Sequence, residues 1–372
     1  MLDPYADIRP YNDQEVKPVL QRLSGSPQLI NALIRYRYPA MPGWLLALLR
    51  PFISRKLRQH IARVEHVKDF QDMVADWVQQ LVANSTDEVV VQGLDKLDHG
   101  TSYLLISNHR DIAMDPTLIN YSLHQQGWPT SRIAIGDNLL RNPDIADIMR
   151  LNKSFIVKRS LTNKREKLKE LQRLSAYIRE SLEADQSIWI AQREGRAKDG
   201  IDKTDTAVLK MLALNGRARD ESFAQTMAAM RPVPVSIQYE WDPCDAEKAR
   251  ELVIRKESGT YEKSSDEDTR SILRGLTGYK GRVFVDFGKP LTGEDIESAE
   301  AMAAAIDRQM NELTELLPVH KAAANLLQNR PCEGDEMKAA EELKRRTAAL
   351  TEEQGKRLLT TYAVPAKGIT GL

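Results

Sequence analysis

From Asp87 onward the chain alternates short apolar, β-branched runs with longer amphipathic stretches, and this alternation limits the possible folds more than any other feature. Residues 88–92, 103–107, 132–135, 154–158, 187–191, 233–239 and 282–287 read as strands. Between them, 116–124, 139–150, 164–183 and 205–215 carry apolar residues at helical spacing. Such alternation predicts an α/β fold with a mostly parallel sheet flanked by helices. In sheets of that kind ligands bind beyond the carboxyl ends of the strands. Polar clusters that directly follow a strand are therefore where a site is expected.

The ends of the chain read differently. Residues 16–23, 27–38 and 44–82 have helical spacing, punctuated by Pro18, Pro39, Pro42 and Pro51, which predicts a helical N-terminal unit over 1–85. After Leu317 the sequence is helical and highly charged, and 336–359 reads as a solvated helix rich in Ala, Glu, Lys and Arg. Packing on the N-terminal helices and self-association are both open for it. A length of 372 residues suits two or three units of about 150 residues each. The expected division is 1–85, an α/β domain over 86–320, and a helical extension over 321–372.

Composition removes several classes of function. Basic and acidic side chains balance at 53 each, so overall charge does not point to nucleic acid, although a local basic site remains open. Cys244 and Cys332 form neither a metal-binding spacing nor a disulfide framework, which suits a reducing cytoplasm. Met1-Leu2-Asp3-Pro4-Tyr5 lacks a basic start leading into an apolar core, so no signal peptide is expected. No run approaches the roughly 20 apolar residues that span a bilayer. Residues 44–58 couple Trp44, Leu48 and Phe52 to Arg50, Arg55, Lys56 and Arg58. That is the pattern of a helix lying in a membrane interface, and equally of a core helix packed on its neighbours.

Three strand ends carry chemistry. Tyr103-Leu104-Leu105-Ile106 runs into Ser107-Asn108-His109-Arg110-Asp111-Ile112-Ala113-Met114-Asp115. A His with a carboxylate partner can act as a general base, the carboxylate orienting the ring and supporting its protonated form. A polar loop in which Asp111 or Asp115 caps the next helix fits the same letters. Ser154-Phe155-Ile156-Val157 runs into Lys158-Arg159, and Ile188-Trp189-Ile190-Ala191 into Gln192-Arg193-Glu194-Gly195-Arg196-Ala197-Lys198. Arg can hold a phosphate bidentately, Lys adds point charge, and Gly195 lets backbone approach a ligand.

In this order the blocks resemble the glycerolipid acyltransferase superfamily, which includes lysophosphatidate and glycerol-3-phosphate acyltransferases. Asn108-His109 to Asp115 resembles its catalytic block. Phe155-Ile156-Val157-Lys158-Arg159 resembles a block ending in a phosphate-binding Arg, and Glu194-Gly195-Arg196 a third block. Val233-Pro234-Val235-Ser236-Ile237 resembles a strand near the acyl site. The resemblance implies an O-acyltransferase of phospholipid biosynthesis that moves a fatty acyl group from acyl-CoA or acyl carrier protein to lysophosphatidate or glycerol-3-phosphate. It implies His109 as base with Asp115 or Asp111 as partner. Phosphate binding would fall to Lys158, Arg159, Arg193, Glu194, Gly195, Arg196 and Lys198, and the acyl site would include Val233 and Pro234. No cofactor and no metal are implied, and a cytoplasmic protein at the inner face of a membrane is expected. Another lysophospholipid, another hydroxylated lipid and a non-catalytic lipid-binding role are the alternatives. In the family four residues separate His from Asp; here five separate His109 from Asp115, which keeps Asp111 in contention.

Overall fold

The computed structural model describes residues 3–37, 42–140, 142–264 and 266–366. The chain begins with α1 (Asp13–Gly25), α2 (Pro27–Arg37), α3 (Gly43–Ile61) and α4 (Val67–Ser85). Then follow β1 (Glu88–Gln92), β2 (Leu104–Ser107), α5 (Met114–Gln125), β3 (Arg132–Gly136), α6 (Pro143–Leu151), β4 (Ser154–Val157), α7 (Lys164–Glu183) and β5 (Ile188–Ala191). The remainder comprises α8 (Thr206–Leu212), α9 (Phe223–Met230), β6 (Pro232–Tyr239), α10 (Asp245–Ser258), α11 (Glu267–Thr277) and β7 (Arg282–Phe287). Four helices close it: α12 (Ala299–Glu312), α13 (Pro318–Leu327), α14 (Asp335–Thr347) and α15 (Glu352–Ala363). The strands lie where the apolar runs are.

Two units emerge: Met1–Trp77 with Ser131–Glu170, and Val78–Thr130 with Leu171–Leu372. This division differs from the expected boundaries at 85 and 320. In the smaller unit, Leu151 of α6 joins Val16, Val19, Leu20, Leu23, Val64 and Phe70 in one buried cluster, so 131–170 groups with the N-terminal helices. Its β3 and β4 pair in parallel. The expected helical run over 44–82 is broken after α3, where the Asp69 carboxylate accepts from Glu65 N and His66 N at 2.9 Å each and starts α4 afresh. Of the residues invoked from sequence, Met1, Leu2, Tyr38, Pro39, Arg141 and 367–372 lie outside the described residues, as does the Trp44 side chain.

The larger unit holds strands in the order β1-β7-β6-β2-β5. Its pairs are parallel except β6–β7. Leu104, Leu105 and Ile106 of β2 are buried, as expected for a strand covered on both faces. Pro232 and Pro234 occupy an inner strand, where a missing N–H normally breaks a ladder. Here Arg231 O accepts from Leu104 N, so residues 231, 233 and 235 turn their backbone groups toward β2. The prolines face the other flank, where β7 has already ended and Gly288 N and Leu291 N donate to their carbonyls at 2.8 and 2.9 Å. The β2–β6 ladder stays whole.

The charged C-terminal stretch is not simply a solvated helix. Thr351 forms a capping box with Gln354 and splits the stretch into α14 and α15. Ala339, Ala340, Leu343, Leu358, Tyr362 and Ala363 share a core with Trp241, Phe284 and the alanines of α13. The helices therefore belong to the larger unit.

Candidate active site

β2 stops at Ser107, yet its ladder continues for one more residue through a side chain. Asn108 Oδ1 accepts from Ile237 N at 2.8 Å and Asn108 Nδ2 donates to Ile237 O at 3.0 Å. The amide thus pairs with β6 as a peptide group would, which frees the backbone of His109 to leave the sheet. A second tie comes from the loop after β5, where Ala197 N donates to His109 O at 2.7 Å. The ring stands edge-on to Trp189, centroids 6.1 Å apart.

The structure chooses between the two aspartates. His109 Nδ1 lies 2.9 Å from Asp115 Oδ2. The same oxygen accepts from Arg110 N at 2.6 Å and Asp111 N at 2.9 Å. Asp115 Oδ1 accepts from the Tyr239 hydroxyl at 2.8 Å. The turn wraps around one carboxylate oxygen, and the fifth intervening residue is absorbed there before α5 begins. Asp111 serves the backbone instead, its Oδ1 accepting from Ala113 N and Met114 N to close the turn into α5. Burial, reinforced by the Asp115 charge, pushes the Asp111 carboxyl up. Gly275 of α11 packs directly on Asp111, since a Cβ there would clash with Asp111 Oδ2.

With Asp115 fully buried and the His109 side chain 16% exposed, the pair presents one face to the outside. A carboxylate at Nδ1 can only accept, so that nitrogen carries the proton in the neutral ring and Nε2 keeps its lone pair. Among the described residues Nε2 has no protein partner. This is the arrangement required of a general base.

The predicted anion residues are distributed unequally. Within the larger unit, Arg196 Nη2 reaches Ser271 Oγ at 3.4 Å, and its buried Nη1 has no hydrogen-bond partner among the described residues. Arg193 is half-buried, Glu194 is exposed, and Gly195 turns the loop at φ +78°, a conformation that favours glycine. Lys198 is paired with the buried Glu251, and burial draws its ammonium pKa down. Lys158 and Arg159 belong to the smaller unit. Lys158 Nζ contacts Asp7 at 2.6 Å and Glu170 at 3.2 Å, while Arg159 N donates to Asp137 Oδ1 at 3.1 Å. Val233 and Pro234 are buried in β6.

Sequence reasoning missed the residues that brace the turn. Arg110 Nη2 reaches Asp202 Oδ2 at 2.7 Å, and Lys248 Nζ donates to Arg110 O at 2.6 Å while pairing with Asp242. Burial alone would raise the Asp242 carboxyl, but Lys248 outweighs it and holds the carboxyl below its usual range. Tyr239 is far away in sequence, and no local pattern marks it.

Residues 88–233 match the family model described as Acyltransferase, a span that runs from β1 into β6 and includes the whole His109–Asp115 turn. Over this span the chain is similar to acyltransferases. The His109–Asp115 site lies within that span. Among curated proteins nothing matches the chain. Among solved structures it is similar to the 1-acyl-sn-glycerophosphate (LPA) acyltransferase PlsC of Thermotoga maritima, with 15% identity, 81% of this chain and 99% of that chain covered, and a TM-score of 0.38.

Proposed function

We propose that this domain transfers a fatty acyl group from acyl-CoA or acyl carrier protein to the hydroxyl of lysophosphatidate or glycerol-3-phosphate, a step of phospholipid biosynthesis. The observation that carries the reading is the His109–Asp115 pair with its unpartnered Nε2. In the proposed reaction Nε2 takes the proton of the acceptor hydroxyl as its oxygen attacks the thioester carbonyl. The C–S bond then breaks, and the thiolate leaves with the proton from the imidazolium. Asp115 holds the tautomer and offsets the positive charge on the ring. Arg196, whose buried Nη1 lacks a partner among the described residues, and Arg193 suit the acceptor phosphate.

Transfer is direct in this reading. The thiol near the turn's bracing groups is Cys244, buried, with burial pushing it up to about 11, which leaves little thiolate. Ser107 Oγ donates to Asn108 O and accepts from Trp189 Nε1, so it is already engaged.

The reading puts the protein at the cytoplasmic face of a membrane, where its lipid substrates lie. No helix among the described residues is long and apolar enough to cross one. Leu48 and Phe52 of α3 are 65% and 68% exposed, one helical turn apart, and Arg55, Lys56 and Arg58 follow on the same helix. That combination suits contact with an anionic lipid surface. Co-sedimentation with anionic vesicles should fall when Leu48 and Phe52 are both changed to Ser, and equal binding would remove the contact.

The decisive assay follows radiolabelled acyl groups from the thioester to each acceptor. His109→Ala should lower the rate by about 10²–10⁴. Equal turnover by wild type and variant would end the proposal.

A further inference from the structure

Asp115 works under an unusual load. Four donors converge on one carboxylate with no exposed surface: Arg110 N, Asp111 N and His109 Nδ1 on Oδ2, and Tyr239 Oη on Oδ1. Three of the four come from the turn itself and move with it. Tyr239 comes from the end of β6, two residues beyond Ile237, which is paired with Asn108. The final residues of β6 therefore grip the turn on both sides of His109.

We propose that Tyr239 is a positioning residue of the acyltransferase site, fixing the Asp115 carboxylate in rotation and setting how strongly it accepts the His109 Nδ1 proton. The inference rests on the reading of His109 as general base. A carboxylate bonded only through Oδ2 can pivot about that oxygen, whereas a hydrogen bond to Oδ1 removes this freedom. A donor on Oδ1 also draws charge from the carboxylate, so the bond from His109 is weaker with Tyr239 present than without it. The hydroxyl remains a donor throughout, because burial and the nearby Asp115 and Asp111 charges keep the phenol well above its ordinary range.

Tyr239→Phe removes one oxygen and leaves the ring in β6. Three measurements on the full chain test the proposal. In the acyl-transfer assay kcat should fall about tenfold with KM unchanged, since Tyr239 acts on the base and not on substrate. In the Asp115→Ala background the same change should have no further effect on kcat, because the carboxylate it fixes is gone. The downfield proton resonance of His109 Nδ1–H, assigned by its loss in His109→Gln, should move further downfield in Tyr239→Phe. If Tyr239→Phe does not fold, 3-fluorotyrosine incorporated at Tyr239 keeps the hydroxyl and makes it a stronger donor, so the resonance should move upfield. An unmoved resonance, or an undiminished loss of kcat in the Asp115→Ala background, overturns the proposal. A wild-type protein without acyl transfer would refute the proposed function, and the resonance would still decide the role of Tyr239.

Discussion

Replacing Asp115 by Asn and by Ala should separate the two services this residue performs. In Asp115→Asn the amide oxygen belongs at the Oδ2 position, where Arg110 N, Asp111 N and His109 Nδ1 all donate. The amide nitrogen then faces Tyr239 Oη, which can accept from it as readily as it now donates. Every buried polar group keeps a partner, and the ring keeps its tautomer. Only the counter-charge to the imidazolium is lost. A hydrogen bond to a charged group contributes about 1.5–3 kcal/mol against about 1 for a neutral one, so roughly 1–2 kcal/mol of support disappears. That corresponds to a fall in rate of about 5- to 30-fold. In Asp115→Ala the two backbone N–H groups are left buried without acceptors, at about 1–3 kcal/mol each. Loss of tautomer control should then bring the rate down toward the 10²–10⁴ expected for losing the base. The assay is acyl transfer alongside thermal melting of both variants. Asp115→Ala should melt well below wild type and Asp115→Asn close to it. If Asp115→Asn melts as low as the alanine variant, or loses as much rate as His109→Ala, the reasoning about the turn is wrong.

Three further outcomes follow from the same geometry. Gly275→Ala adds helix propensity of about 1 kcal/mol but forces a methyl into the Asp111 carboxylate, an overpacking of about 1–3 kcal/mol, so melting should fall; an unchanged or raised midpoint would contradict the close approach. Lys248→Met leaves the half-buried Asp242 carboxylate without its cation and should destabilise by about 1–3 kcal/mol, read as a drop in melting temperature. Burial, with help from the Arg110 charge, draws His320 from 6.5 down to about 4. The unfolded chain therefore takes up this proton first as pH falls, and up to about 3 kcal/mol of stability should be lost between pH 6.5 and 4. His320→Gln should flatten melting temperature against pH over that window, and an unchanged slope would refute the assignment.

The strands were legible because a strand buried on both faces must be a continuous apolar run, and such runs stand out between charged helices. β7 running antiparallel to β6 was not legible, since apolar runs carry no direction. The C-terminal helices were misread for a related reason. Half of their buried stripe is Ala339, Ala340 and Ala363, which look neutral beside the surrounding Glu, Lys and Arg. At the site, His109 and the loop 193–198 were visible as polar clusters after apolar strands. Asp115 could not be preferred to Asp111 from spacing, because the choice depends on which backbone N–H groups turn inward. Tyr239 lies 124 residues from its partner and is visible only once β6 is placed beside β2.

Asn108 carries a liability of its own. Its amide nitrogen sits 3.0 Å from both Ile237 O and Asp202 Oδ2, and neither can donate a proton in return. Asparagine side chains hydrolyse slowly with age and heat, and the product is an aspartate of nearly identical shape. At most surface positions that conversion is tolerated. Here it would set a new negative oxygen against a carbonyl and a carboxylate, prising β2 from β6 at the root of the His109 turn. A single unit of mass gained at one side chain would then be enough to spoil the proposed site, with its histidine intact.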